Sequence, residues 1–487
     1  MTLEKDLESY VESVIDKYRV KKVEHKKIIR DAVLGSHELS PLEVSILDTP
    51  FVQRLRGISQ TALTSFTYPS ATHSRFEHSL GVSIMAEKMG RALGDAVDQK
   101  TLLELRIAGL LHDIGHGPFS HGSEELIQDL DDVKKSIEQD NRFSVCKPHE
   151  MIGYKILQTK SFKDFFYNIL KIYDKTELDL NCISELIIGS ISDKEHNQFK
   201  SDIINGSFDA DKLDYLARDS YFTGIRMAVD TERIFATMMI ESRTDKTKGI
   251  IVDVGGVHIL EQIIFNKMLL YPSVYHHHKV RSALCMMRAV FEIIRDKKLT
   301  IDGMDFNKVS DFLKVDDHFF LTENSKPKEV ADQIRKIKGR NLLKRALVLS
   351  RKTLEKGKEA GFEDLLKLRD RPQSLREMAA TIADRKLNGK CSRYDLWIDL
   401  PENPRFPEPS QCIVKVTDTI FLPLDEFFPV AEWTYSFEVN KWRGYVFCPP
   451  ELQKSVGIGT KQALQNLFGF TLSEEAEVLA KHASYAG

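Results

Sequence analysis

The chain has 487 residues with a formal net charge of -3; 42% of them are hydrophobic and 29% charged. That balance is ordinary for globular proteins, is long enough for one large domain with smaller lobes, and gives no global pull toward nucleic acid or a membrane surface. The cysteines, Cys146, Cys182, Cys285, Cys391, Cys412 and Cys448, form no CxxC pair, which argues against a zinc knuckle or a disulfide framework and for reduced thiols.

The N-terminal stretch MTLEKDLESYVESVIDKY is polar and amphipathic, without the apolar core of a signal peptide. No later run reaches the roughly 18 apolar residues of a membrane span, so a cytoplasmic protein with no membrane contact is expected. From about residue 7 to residue 300 the hydrophobic period is helical. SRFEHSLGVSIMAEKMGRAL sets His78, Val82, Met85 and Met89 at three- and four-residue steps. Leu105, Ala108 and His112 carry a second stripe into LLHDIGHGPFSH, residues 110–121, which places His112 beside Asp113 and adds His116 and His121. Gly115, Gly117 and Pro118 are expected to end that helix and let its backbone approach a phosphate. PHEMIGYKIL brings His149 next to Glu150 at a helix start, where its imidazole is expected to pair with a carboxylate. FDADKLDYLARDSYF supplies Asp211, with Tyr215, Asp219 and Phe222 on its helical face and Ser207 or Asp209 as cap.

The β-branched residues and glycines of 249–259 predict a short strand or hairpin between helices. Residues 302–387 keep a helical pattern but are strongly basic, with Lys326, Lys328, Arg335, Lys336, Lys338, Arg340, Lys344, Arg345, Arg351 and Lys352. After Cys391, DLWIDLPENPRFPEPS, QCIVKVTDTIFLPL and RGYVFCPP predict strands and loops, followed by a short helix over 461–468 and a tail helix over 474–482. The expected fold class is mainly α: a helical core over 1–300, a basic helical extension over 301–390 and a smaller mixed α/β lobe over 391–487.

His78, His112, Asp113 and Asp211 offer two imidazoles and two carboxylates from separate helices, a set suited to a divalent Fe, Mn, Ni, Zn, Co or Mg ion. Consecutive helical side chains diverge by about 100°, which lets His112 and Asp113 serve one ion in a cleft. A core histidine, a helix C-terminus and a first-turn acid account for these residues singly. Their joint order, with His116, His121 and His149 nearby, favours a metal site with general acids and phosphate contacts beside it. Arg75, one turn before His78, is a candidate bidentate phosphate contact.

The blocks DTPFVQRLRGISQ, SATHSRFEHSLGV, LLHDIGHGPFSH, His149-Glu150 and DADKLDYLARDSYFTGI, spread over residues 27–225, resemble the HD-domain deoxynucleoside triphosphate triphosphohydrolases of the sterile-alpha-motif and HD-domain branch. The resemblance implies an HD-domain helical core with metal ligands His78, His112, Asp113 and Asp211. It implies catalytic histidines His116, His121 and His149, with Glu124 supporting His121. Implied substrate contacts are Gln60 near the sugar, Arg75 and Lys212 on the phosphates, Tyr215 and Asp219 near the ribose 3′-hydroxyl, and Tyr275 or His276 facing the sugar. Water or hydroxide would attack the α-phosphorus of a deoxynucleoside triphosphate (dNTP), and intact triphosphate would leave.

The same resemblance implies a guanine-nucleotide or dNTP activator held by Lys27, Ile28, Asp48, Gln53 and Arg56, in a homo-oligomer, dimer or tetramer, that serves dNTP pool control or antiphage defence. Thr61 stands where the family has an apolar residue, and the tyrosine of VYHHHKVR is displaced by one position. Ile114-Gly115 replaces the Glu-Asp of alarmone hydrolases, and the GYP signature of cyclic dinucleotide phosphodiesterases is missing. The competing readings are an HD nucleotide phosphatase, and an HD nuclease or nucleic-acid-binding protein using the basic helices between Lys326 and Lys352.

Overall fold

The structure is a computed structural model that describes residues 2–227, 229–243, 245–322, 326–386, 390–402 and 412–481. Its strands are β1 (Lys27–Asp31), β2 (Gly35–Leu39), β3 (Met238–Ser242), β4 (Lys248–Asp253), β5 (Lys344–Leu349), β6 (Trp397–Asp399), β7 (Ile413–Lys415), β8 (Phe421–Pro423) and β9 (Gly444–Cys448). Helices dominate elsewhere, so the fold is mainly α. Compactness groups the chain into one unit of Met1–Asn266, Phe306–Phe320 and Pro407–Phe428 and a second of Lys267–Asp305, Leu321–Phe406 and Pro429–Gly487.

In the first unit, β1 and β2 form an antiparallel hairpin in which Asp31 Oδ1 accepts the backbone N–H groups of Val33 at 2.8 Å and Leu34 at 2.7 Å, folding the turn. A helix then spans Arg75–Ala92, started by a capping box in which Ser74 and Glu77 bond each other's backbone. Its predicted stripe of His78, Val82, Met85 and Met89 is buried. The next helix, Gln99–Leu111, starts on an Asp98 cap and ends just before the His-Asp pair, so His112 is its C-cap and Asp113 lies in the turn beyond. Helices His121–Gln128, Pro148–Gln158 and Ala210–Thr223 follow, the last capped by Asp209, which accepts Lys212 N–H at 2.7 Å. The expected hairpin near 249 is β3 paired with β4, although the chain is helical again from Val257 to Leu270. β7 adds parallel to β4, and β8 closes the sheet order β3-β4-β7-β8.

The second unit carries an antiparallel sheet of order β5-β9-β6. β5 corrects the expectation of continuous helix through the basic stretch. LKRALVLS carries too many consecutive apolar residues for a helix with a wet face, and Leu347 and Leu349 are buried in a cluster with Ile398, Val446, Leu464 and Phe470. Helix Val430–Lys441 was not foreseen, and the helix expected over 461–468 runs over Gln453–Phe468. The tail helix is Glu475–Lys481. Residues 323–325, 387, 403–411 and 482, which belong to the predicted segments, lie outside the described residues. Every cysteine is a free thiol. No described helix is long and apolar enough to cross a membrane.

Candidate metal centre

Two histidines are fixed by their Nδ1 atoms so that their Nε2 atoms converge. His112 Nδ1 bonds the carbonyl of Gly109 at 2.8 Å, and His78 Nδ1 bonds Asp214 Oδ2 at 2.8 Å. Such anchoring sets the tautomer that leaves Nε2 as a ligand. His78 Nε2 then lies 2.9 Å from Asp211 Oδ1 and 3.9 Å from Asp113 Oδ2. Ligand atoms of His78, His112 and Asp211 lie within 4.8 Å of one another, and so do those of Asp113, His116 and His149. His112 Nε2 sits 3.3 Å from Asp113 Oδ1 yet has no hydrogen-bond partner, and both ring nitrogens of His116 are buried without a hydrogen bond, Nε2 standing 3.4 Å from Asp113 Oδ1. Orphaned imidazole nitrogens beside excess carboxylate charge fit a divalent cation.

Behind this set the histidines form a stack. The rings of His116 and His149 lie 3.7 Å apart at 20°. Glu124 bonds His149 Nδ1 with one oxygen and His121 Nδ1 with the other. His149 therefore finds its carboxylate in Glu124 and not in Glu150, which instead accepts Lys147 N–H at 2.8 Å to start the helix. Gly115 makes a close approach too, but toward protein. A Cβ there would stand 2.1 Å from the carbonyl oxygen of His149, so the missing side chain lets the helix carrying His149 dock.

Arg75 is committed to the centre. Its Nη1 donates to Asp113 Oδ2 at 2.7 Å and its Nε to Ser120 Oγ at 2.7 Å, leaving a buried Nη2 without a partner. The expected bidentate phosphate fork is thus reduced to one free nitrogen. Burial pushes the Asp113 carboxyl up, but Arg75, His112 and His116 hold it well below the usual range. Burial also works against the charged form of His78, yet hydrogen bonds to Asp211 and Asp214 raise it to about 10. His116 is driven well below the ordinary histidine value by burial, Arg75 and His149. Burial opposes the charge on Glu124, but His121 and His149 keep it well below the carboxylate range.

Of the remaining predicted residues, Gln60 is 9% exposed with an unpaired Oε1. Lys212 folds back on its own helix start, with Nζ 2.6 Å from Asp209 and 2.8 Å from the Gly206 carbonyl. Asp219 meets His73 Nε2 at 2.7 Å, and Phe222 stacks on that ring at 4.5 Å. Tyr215 sits on the helix of Asp211. Tyr275 and His276 belong to the second unit, where burial and Arg281 lower His276 to about 3. At the N-terminal surface Lys27 lies 3.9 Å from Asp48, Arg56 donates to Gln53 at 2.9 Å, and Ile28 is 75% exposed.

Sequence reasoning missed Asp31, Arg54, His73, Asp214, Arg218 and Asp317. Asp214 and Arg218 carried a signal, since they follow Asp211 at three- and four-residue steps along one helical face. Arg54 donates to the carbonyls of Ile114 at 3.3 Å and His116 at 2.8 Å, and nothing local foretells that reach.

Residues 75–219 match the family model described as HD domain, and residues 229–475 match that of the HD associated region. An uncharacterised protein of Methanocaldococcus jannaschii is 29% identical over 88% of this chain and 81% of its own length. The deoxynucleoside triphosphate triphosphohydrolase SAMHD1 homolog of Dictyostelium discoideum is 33% identical over 65% of this chain, and the deoxynucleoside triphosphate triphosphohydrolase SAMHD1 of Homo sapiens is 28% identical over 70%. The chain spans 59% and 57% of the lengths of those two. With both family models matched in order along the sequence, the chain belongs to the HD-domain family of metal-dependent phosphohydrolases.

Proposed function

We propose that this chain hydrolyses dNTPs to deoxynucleoside and triphosphate, with His78, His112, Asp113 and Asp211 holding a divalent ion. The observation that carries the reading is the group of buried, unpaired nitrogens around Asp113: His112 Nε2, both ring nitrogens of His116 and Nη2 of Arg75. Leaving such groups unpaired is costly unless a ligand uses them: a cation takes the lone pair of His112 Nε2, and a phosphate accepts from Arg75 Nη2 and from the single N–H of a neutral His116.

The ion supplies Lewis-acid stabilisation of phosphoryl charge and activation of water. Arg75 and His116 hold the α-phosphate, and water attacks its phosphorus. The bond from phosphorus to the 5′-oxygen breaks, and His121, oriented by Glu124, gives that oxygen its proton. His149 shares Glu124 and supports the phosphate face of the stack. His121 suits the leaving-group role because its side chain is 63% exposed, at the rim, while His116 is fully buried. Gln60, Lys212, Tyr215 and Asp219 are proposed for the sugar and phosphates. Lys27, Ile28, Asp48, Gln53 and Arg56 are proposed for an activating nucleotide in a homo-oligomer that lowers dNTP levels for pool control or defence.

The basic stretch supports nucleic-acid binding poorly. Lys336 pairs with Asp395 at 3.1 Å, Arg335 with Asp332 at 2.8 Å and Arg351 with Glu363 at 2.8 Å, while Arg345 is buried in β5. The test is to incubate Mn-loaded protein with each dNTP and NTP, singly and mixed, and identify the phosphate released. Triphosphate is expected, and activity confined to mixtures would support the activator. Orthophosphate alone would make the chain a nucleotide phosphatase, and full activity in Asp113→Ala would remove the centre from the reaction.

A further inference from the structure

Behind His78 runs a line of buried charge that takes no part in the reaction as described. Asp214 Oδ2 bonds His78 Nδ1 at 2.8 Å, and the two Asp214 oxygens accept Nε and Nη2 of Arg218, each at 2.8 Å. Arg218 Nη1 donates to Asp31 Oδ2, also at 2.8 Å. Arg218 and Asp214 are both 0% exposed and Asp31 is 6% exposed. Buried charges of this kind rarely stabilise a fold better than apolar side chains of the same volume, so packing alone does not explain them. The chain also clears space for them: a Cβ on Gly81, one turn along from His78, would stand 2.0 Å from Asp214 Oδ1 and 2.3 Å from Arg218 Nη2.

The far end of the line belongs to a surface element. Asp31 uses Oδ1 to fold the turn between β1 and β2 and Oδ2 to hold Arg218, so one carboxylate serves the hairpin and the metal helix together. We propose that Asp31 and Arg218 are positioning residues that couple the seating of the β1–β2 hairpin to metal affinity, acting through Asp214 on His78. This rests on the metal centre proposed above and adds its regulation. Outer partners of a metal-binding imidazole fix its ring and raise its basicity, and loss of one typically weakens metal binding by about 10–100-fold. Coupling of this kind is reciprocal: what steadies the hairpin tightens the ion, and the ion steadies the hairpin.

The full chain and its Asp31→Asn and Arg218→Lys variants would be titrated with Mn2+ by calorimetry, with thermal unfolding of each measured alone. Amide exchange over residues 27–39 would be followed with and without Mn2+. Asp31→Asn keeps an oxygen for the turn but turns a donor toward Arg218, and Arg218→Lys keeps the charge but cannot bridge both acids. The expected result is an affinity loss of about tenfold in each variant, with hairpin exchange slowed by Mn2+ in the wild type and not in the variants. Affinity within about twofold of wild type in Asp31→Asn would overturn the coupling even where its unfolding temperature falls, since that is the mark of a structural role alone. An unchanged hairpin exchange in the wild type would overturn it as well. Asp31→Asn alone decides if Arg218→Lys does not fold. Failure of the dNTP reading would show in the phosphate product and leave Mn2+ binding intact, whereas a wild type that binds no Mn2+ would remove the centre itself.

Discussion

The Asp317 carboxylate accepts the backbone N–H of Phe119 at 2.5 Å, and its second oxygen accepts that of Ser59 at 2.9 Å. One acid thereby ties the turn delivering His121 to the segment delivering Gln60. That turn is strained, with φ of 59° at Phe119 and 52° at Ser120, at a cost of about 1–3 kcal/mol per residue. It is held by Asp317 and by Ser120 Oγ, which donates to the Ser59 carbonyl at 2.5 Å and accepts Arg75 Nε. Asp317→Ala should free the turn, costing roughly 1–3 kcal/mol of stability and lowering kcat of the proposed triphosphate release by about tenfold or more, with Mn2+ affinity near wild type. Calorimetry and product assays on one preparation check both parts.

Asp317 also predicts a pH dependence. Burial raises it from 3.8 to about 7, against the two N–H bonds and Arg75 and aided by Asp316. The folded chain therefore keeps a proton that the unfolded chain has lost between those values, and stability falls as pH rises across that window. The difference in unfolding temperature between wild type and Asp317→Asn should shift toward the variant on going from about pH 5 to about pH 8. A constant difference would mean that Asp317 does not titrate there.

Glu124 shares its two oxygens between His121 and His149, so its loss should affect both at once. Glu124→Gln keeps the shape but removes the charge and one acceptor. A fall in kcat of about 10²–10⁴ is expected, as for loss of a positioned proton donor, while bound metal per chain stays at the wild-type value. Metal content measured beside kcat separates this outcome from collapse of the centre.

The histidines of the centre were legible in the sequence because each sits at the edge of a strongly periodic apolar stripe, and order along the chain made His78, His112, Asp113 and Asp211 one set. Their helices followed from the same period. The partners that hold them were not legible. Asp31 reaches Arg218 across 187 positions and Asp317 reaches Phe119 across 198, distances over which no local pattern carries information. β5 was misread for a related reason: its basic residues suggested a solvated helix face, but the apolar run Ala346–Leu349 is claimed by β9.

Gly115 tests how tightly the stack must be assembled. A Cβ there would stand 2.1 Å from the His149 carbonyl oxygen and 2.6 Å from Gly153 N, both backbone atoms of helix Pro148–Gln158 that cannot rotate away. Gly115→Ala must push that helix outward, drawing His149 from its 3.7 Å stack on His116 and loosening its bond to Glu124. Overpacking of this kind costs about 1–3 kcal/mol. The proposed metal ligands lie outside helix Pro148–Gln158, so Mn2+ affinity should change less than kcat, which is expected to fall by about tenfold or more. Wild-type kcat in a destabilised Gly115→Ala chain would show that His149 does its work without the close docking of its helix.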